Sequence, residues 1–455
     1  MAKNSIDFSK GPVWKCIVAQ AVPLTLAQLV HLLYNVVDRV YIGHMDSGGM
    51  ALTGVGLTFP VITLIMAFTA LFGMGGVPLF SMARGEGSDA RAGKILGNSC
   101  CLLLISAAAL TALCYVFRRP VLYAFGASDA SYAFADSYLR IYLAGTVFSM
   151  LSTGLNGYIN AQGFPTVGML SIVIGAGLNI ALDPVFIFAA GMGVAGAALA
   201  TVISQAVSAA WVVRFLCGKK AAVRLLRKNI RLSGRVTRDI VRLGTMNFIM
   251  QGTNFLVQAA CNSTLQRFGG DIYIGVMTVI NSIREIMMLP VSGIFSGSLP
   301  VVSFNYGAKK YGRVRSGINF NTGVGFVYTL IAWLAVLLFP AFWFGIFSDD
   351  RAITEAGTGM LTVYFFGFVF MALQFSGQTT FQAVGDAGHA IFFSLLRKVV
   401  IVVPLTLLLP RLGMGVLGVF AAEPISNVIG GSASFLTMRA TVYKRIKKLD
   451  SEALQ

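Results

Sequence analysis

Most of this chain is a succession of apolar stretches, each near or above the about 20 residues that a helix needs to cross a bilayer. Twelve can be read, near residues 15–42, 52–80, 95–117, 136–161, 166–189, 194–216, 243–266, 272–302, 317–347, 356–384, 389–410 and 415–438. Lipid offers no partners to backbone N–H and C=O groups, so each stretch is predicted to satisfy its own backbone as a helix. Several exceed the bilayer thickness, which predicts tilt or extension beyond the lipid. Charged residues are only 12% of the chain, against about 25% in soluble domains. The 50 glycines suit helices that pack closely in a membrane. The predicted class is therefore an all-α integral membrane protein.

The basic residues set the orientation. Of 35 Lys and Arg, 27 fall in the N-terminus, the even-numbered loops and the tail, with Arg397 and Lys398 counted in the loop before the eleventh stretch. Basic loops stay on the cytoplasmic side, so both termini of a multi-pass protein are predicted to be cytoplasmic. The +17 net charge reads as this topology signal. Its scatter over membrane loops excludes nucleic acid as a partner. The start, MAKNSIDFSKGPVWK, carries no removable signal peptide. The six cysteines form no CxxC pair and read as packing residues.

A repeat organises the rest. SMARGEGSDAR (81–91) resembles SFNYGAKKYGR (303–313), and Gly85 and Gly307 differ by 222 positions. The same offset pairs NAQG (160–163) with QAVG (382–385) and GMGVAG (191–196) with GMGVLG (413–418). Each half holds six crossings, so both start on the same side and are related by an axis along the membrane normal, with substrate between them. The expected domains are an N-terminal lobe (1–217), a basic cytoplasmic linker (218–241), a C-terminal lobe (242–438) and a basic tail (439–455). The linker is expected to be amphipathic and to lie on the anionic inner leaflet, which makes membrane lipid a partner.

The first stretch, AQAVPLTLAQLVHLLYNVVDRVYIG (19–43), carries an aspartate inside an apolar run. Thr25, Gln28, His31, Asn35 and Asp38 recur at steps of three and four, which puts them on one helix face. Such a face turns toward a water-filled cavity or a bundle interior, because lipid cannot solvate it. Pro23 removes a backbone donor and is expected to permit a bend.

These residues carry a family resemblance. The VDRVYIG stretch, NIALDPVFIF (179–188), GMGVAGAALAT (191–201) and the GMGVLG copy resemble the multidrug and toxic compound extrusion (MATE) family, and most closely its MepA-like bacterial branch, over essentially the whole chain. The resemblance implies two six-helix lobes in a V, related by pseudo-two-fold symmetry, in the bacterial cytoplasmic (inner) membrane. It also implies antiport: organic cations, drugs or dyes are exported as H⁺ or Na⁺ enters, with no other cofactor. The transporter is expected to act as a monomer. By the same resemblance Asp38, Asn179, Asp183 and Thr201, with Tyr34 and Asn156, form an ion or proton site in the N-terminal lobe. Pro23 is the hinge by that resemblance.

The chemistry of those side chains is consistent with either ion. Asn179 lies one turn before Asp183 and shares its face. All four main residues offer oxygen to a hard ion, so Na⁺ is the one metal considered at Asp38 and Asp183. Two carboxylates in a poorly solvated pocket equally suit a proton held between them.

The C-terminal half departs from its partner, since Asp38 maps to Ala260 and Asp183 to Leu405. It presents amides instead, with Asn247, Gln251, Asn254, Gln258 and Asn262 at helical spacing and Gln374, Gln378 and Gln382 in four-residue steps. Asn281, Glu285, Met288 and Ser292 form one face, and a carboxylate beside flexible thioethers suits bulky cations. The expected substrate cavity thus takes Gln28, His31, Asn35, Gln251, Asn254, Gln258, Asn281, Glu285, Met288, Gln378 and Gln382. A competing reading pairs Glu285 and Glu423 with Arg284 and Arg397 as structural ion pairs.

No HExxH, GxxxxGK[ST] or GxSxG occurs, which leaves no catalytic set, no ATP loop and no metal centre. Two alternatives stand beside the exporter. A lipid-linked saccharide flippase of the same superfamily would line its cavity with Arg and Lys, and an intramembrane enzyme would need catalytic residues.

Overall fold

The computed structural model describes residues 5–45, 48–347 and 351–452. The expected chain ends 1–4 and 453–455, and loop residues 348–350, lie outside them. Among the described residues every regular element is helical. Among the described residues nine helices are long and apolar enough to cross a membrane. One of them, Gly234–Gly307, holds two crossings that reverse at Gly270, whose φ of 70° only glycine adopts easily. A pair bent by 49°, Ile353–Phe365 and Phe370–Ala383, and a pair broken at Gly145, Asp129–Ala144 and Thr146–Ala161, bring the crossings to twelve.

The repeat is written into the backbone. Helices begin at Asp89 and Tyr311, at Pro165 and Ala387, and at Val194 and Val416, each pair separated by the same 222 positions. Positive φ recurs at that offset too. Gly193 and Gly415 have φ of 56° and 52°, Gly163 and Gly385 have 87° and 82°, and Gly87 is matched by Lys309 at 57°. Each Gly193 or Gly415 caps the following helix with ψ near −132° and −137°, a conformation open only to glycine. Gly193→Ala is therefore expected to destabilise the protein by about 1–3 kcal/mol, read as a lower thermal unfolding temperature of the purified protein. An unchanged temperature would show that this turn relaxes.

The chain divides into two compact units, one built on Val22–Phe248 and the other on Phe8–Ala21 with the chain from Ile249 onward. The division runs through the first helix, Val13–Gly43, immediately before Pro23. Within the first unit Phe80, Leu96, Leu103, Leu155 and Tyr158 centre one apolar core. Within the second, Ile280, Phe344, Phe365 and Phe420 centre another.

Two expectations change, and the linker gains a defined form. The ninth stretch ends at Leu338, because the residue before Pro340 is pushed out of helix, and a short helix Pro340–Phe347 follows. The linker takes an extended rather than helical form over most of its length. From Gly218 to Ser233 only Arg227–Asn229 is helical, and Ala221, Val223 and Leu225 are buried at alternate positions. The Val223 N–H donates to Gln162 and the Asn98 amide donates to the carbonyls of Arg231 and Ser233, so the linker is pinned to the first unit. Finally, Arg397 and Lys398 leave the loop. They are buried inside the Ala387–Leu412 crossing, which reduces the basic count from 27 to 25 (27 − 2) and leaves the asymmetry intact.

Candidate functional site

In the first unit, three helices bring the predicted ion-site residues together. Asp38 comes from the first helix, Asn179 and Asp183 from Pro165–Pro184, and Thr201 from Val194–Cys217. The Asp38 and Asp183 carboxyl groups lie within interaction reach of one another, an arrangement that one shared proton would stabilise. The Asn179 amide lies at 3.2 Å from Asp183 Oδ1 and 3.4 Å from Thr201 Oγ1, donating to both. Asp183, Asn179 and Thr201 are buried. Arg39, the next residue on the helix, lies within electrostatic reach of Asp38. Its guanidinium sits 5.2 Å from the Phe59 ring.

Three buried oxygens at this place, Asp38 Oδ1, Asp183 Oδ2 and Asn179 Oδ1, have no hydrogen-bond partner among the described residues. Orphaned acceptors in a poorly solvated interior are costly. Together with the Thr201 hydroxyl they form an all-oxygen donor set, so the residues fit a proton or a hard monovalent cation.

Tyr34 lies within electrostatic reach of both carboxyls. Asn156 does not join the group. Its amide donates to the Gly168 carbonyl at 3.0 Å and to Ser171 at 2.7 Å, and its oxygen accepts from Asn160. Two tyrosines missed in the sequence stand there instead. Tyr138 lies near Asp38 and Thr201, while Tyr142 lies beside Ser149 and Gln205. Their four-residue spacing in an apolar helix was the available signal.

The rest of the polar stripe on the first helix is half-buried or exposed at Gln28, His31 and Asn35. The Asn35 amide turns back to the His31 carbonyl at 2.8 Å, and His31 packs edge-on against Tyr34.

In the second unit a cavity of about 150 Å³ is lined by Asn254, Gln258, Asn281, Arg284, Lys398 and Glu423, among others. Gln258 donates to Asn262 at 2.9 Å and accepts from Asn281 at 3.4 Å. Gln251, Glu285, Met288, Gln378 and Gln382 lie outside this lining. Gln378 and Gln382 are buried in the helix Phe370–Ala383. Glu423 is held by two cations, with Arg397 at 3.0 Å and Lys398 at 3.1 Å. Glu285 is exposed and forms no ion pair within 4 Å among the described residues.

The MatE family model matches residues 23–185 and 248–408, one copy in each half. The multidrug export protein MepA of Staphylococcus aureus (strain MRSA252) is 25% identical over 403 residues, covering 87% of each chain. MepA of Staphylococcus haemolyticus (strain JCSC1435) is 23% identical, covering 95% of this chain and 94% of its own. A crystal structure of MATE in complex with MaD3S aligns with a TM-score of 0.91 at 24% identity, over 99% of this chain and 100% of that one. Its fold is the same twelve-helix, two-lobed architecture.

Proposed function

The chain belongs to the MatE family of multidrug transporters, and on that premise we propose that it exports organic cations by antiport with H⁺ or Na⁺. The observation that carries this reading is the Asp38–Asp183 pair, which with Asn179 presents three buried oxygens without hydrogen-bond partners among the described residues. An ion arriving there neutralises the pocket, and losing it leaves two carboxylates that repel one another. Occupancy therefore biases two conformations, and cargo that binds one of them better is coupled to the ion. The protein works as a monomer in the cytoplasmic membrane, with both termini in the cytoplasm.

The test is the full-length protein in proteoliposomes with a pH gradient or a Na⁺ gradient imposed in turn. A cationic dye is expected to move against its own gradient under one of the two. Dye movement that ignores both gradients would overturn coupling.

Glu285 is the carboxylate free to meet a cationic cargo, being exposed and without a close ion pair. Glu285→Gln is expected to slow export of cationic dyes by about tenfold, roughly one charge-assisted contact, and to spare neutral compounds. An equal loss for both classes would assign Glu285 a structural role.

Pro23 is the candidate hinge. The first helix passes from one compact unit to the other between Ala21 and Val22, next to the residue that lacks a backbone donor. Pro23→Ala is expected to slow transport on the order of tenfold, about 1.4 kcal/mol in barrier, with normal yield in the membrane. Wild-type export from that variant would sink the hinge.

A further inference from the structure

We propose that the cavity of the C-terminal half is an anion site, which takes a carboxylate- or phosphate-sized group. It stands at the place that the internal repeat equates with the Asp38–Asp183 pocket. The offset of 222 carries Thr201 onto Glu423 and Tyr142 onto Tyr364, and both counterparts line the cavity. The two halves thus hold corresponding pockets, but their charge is inverted.

The inversion is explicit in the side chains. Three cations, Arg284, Arg397 and Lys398, stand around one buried carboxylate. Glu423 Oε1 takes both Arg397 at 3.0 Å and Lys398 at 3.1 Å, and Arg397 reaches Asn427 at 2.6 Å. Arg284 is left without an ion pair among the described residues, and its buried Nε has no hydrogen-bond partner. Glu285, the other carboxylate within electrostatic reach of Arg284, is exposed and outside the lining. The cavity therefore carries surplus positive charge inside a lobe, where an unpaired charge is costly.

An oxyanion answers each of these features. A guanidinium presents N–H donors in a planar fork that matches carboxylate or phosphate. The amides of Asn254, Gln258 and Asn281 line the same wall and can donate the remaining bonds. The volume, about 150 Å³, is smaller than the roughly 300 Å³ at which drug-sized pockets begin. The cavity thus holds an anionic group, either free or as the end of a larger molecule that extends out of it. Zwitterionic and anionic compounds then join the range of molecules this protein binds. This goes beyond the exporter reading and stands on the charges of the C-terminal half alone.

The experiment uses the full-length protein in detergent. Inorganic phosphate is titrated calorimetrically at ionic strength held constant with sodium chloride. A carboxylate-bearing fluorescent dye and its neutral methyl ester are followed by anisotropy. Saturable binding of phosphate, of the free-acid dye or of both is expected, with the ester at least about tenfold weaker. Binding by phosphate alone identifies a free oxyanion, and binding by the dye alone identifies a compound-borne carboxylate. Arg284→Gln is expected to weaken binding by about tenfold or more, while Arg284→Lys, which keeps the charge but loses the planar fork, is expected to fall between the wild type and the Gln variant. Failure of both probes to saturate would overturn the proposal, as would an Arg284→Gln variant that binds like the wild type. Cation-dye export that survives such a result would leave the exporter reading standing.

Discussion

Asp38→Asn and Asp183→Asn are each expected to lose ion-coupled export while the protein still accumulates in the membrane. The loss should be on the order of 100-fold, the upper range of a coupling free energy between two sites. The two carboxyls lie within electrostatic reach of each other inside the first unit, so the charge of one biases the charge of the other. An asparagine has the same shape and can accept and donate hydrogen bonds, but it can neither release a proton nor hold a cation by charge. Because both residues act on one ion, the double variant should be little worse than either single one. Binding reciprocity adds a second readout. If cargo and ion compete, cargo weakens ion affinity by the factor by which the ion weakens cargo affinity, and both factors should collapse toward one in each variant. Full gradient-driven export by either single variant would remove that residue from the mechanism. Partial losses that add independently would mean two separate sites.

Glu423→Gln is expected to cost about 3–5 kcal/mol of stability, the range for breaking a buried ion pair from one side. Its carboxylate is 5% exposed and is the only buried negative group facing Arg397 and Lys398 among the described residues. Without it the buried cluster keeps Arg284, Arg397 and Lys398 but loses its buried carboxylate. Arg397→Gln breaks the same pair but removes one of the surplus cations, so it should cost less. Thermal unfolding of the two purified variants, with yield from membranes as a check, decides the order. Equal losses would mean that packing around the pair, rather than its charge imbalance, controls stability.

Several features were legible in the sequence because they depend on local pattern. Hydropathy over about 20 residues reports a crossing wherever it lies in the chain, and the one broken at Gly145 was read as a single stretch for that reason. The repeat was legible because the same backbone turn demands the same residue twice. Gly193 and Gly415 share φ and ψ that no side chain tolerates well, so the GMGV stretch recurs at a fixed offset. The Asn179–Asp183 pair followed from helical spacing alone, and its 3.2 Å contact is one turn of one helix.

Contacts between helices were decided only by tertiary structure. Asp38 and Asp183 come within reach of each other only through the fold, from two helices far apart in sequence, and no periodicity within either helix reports the other. Tyr138 entered the same pocket by the same route, while Asn156, on an equally polar face, turned to Gly168 and Ser171. Arg397 and Lys398 show the limit most plainly. Two adjacent cations near the start of an apolar run read as a loop, since charge in lipid is costly. Glu423, brought in from the next crossing, supplies the counter-charge that lets both sit inside the lobe. Sequence alone determined which segments enter the membrane and that the chain is doubled. Packing decided which buried charges meet, because the cost of burying a charge depends on its partner.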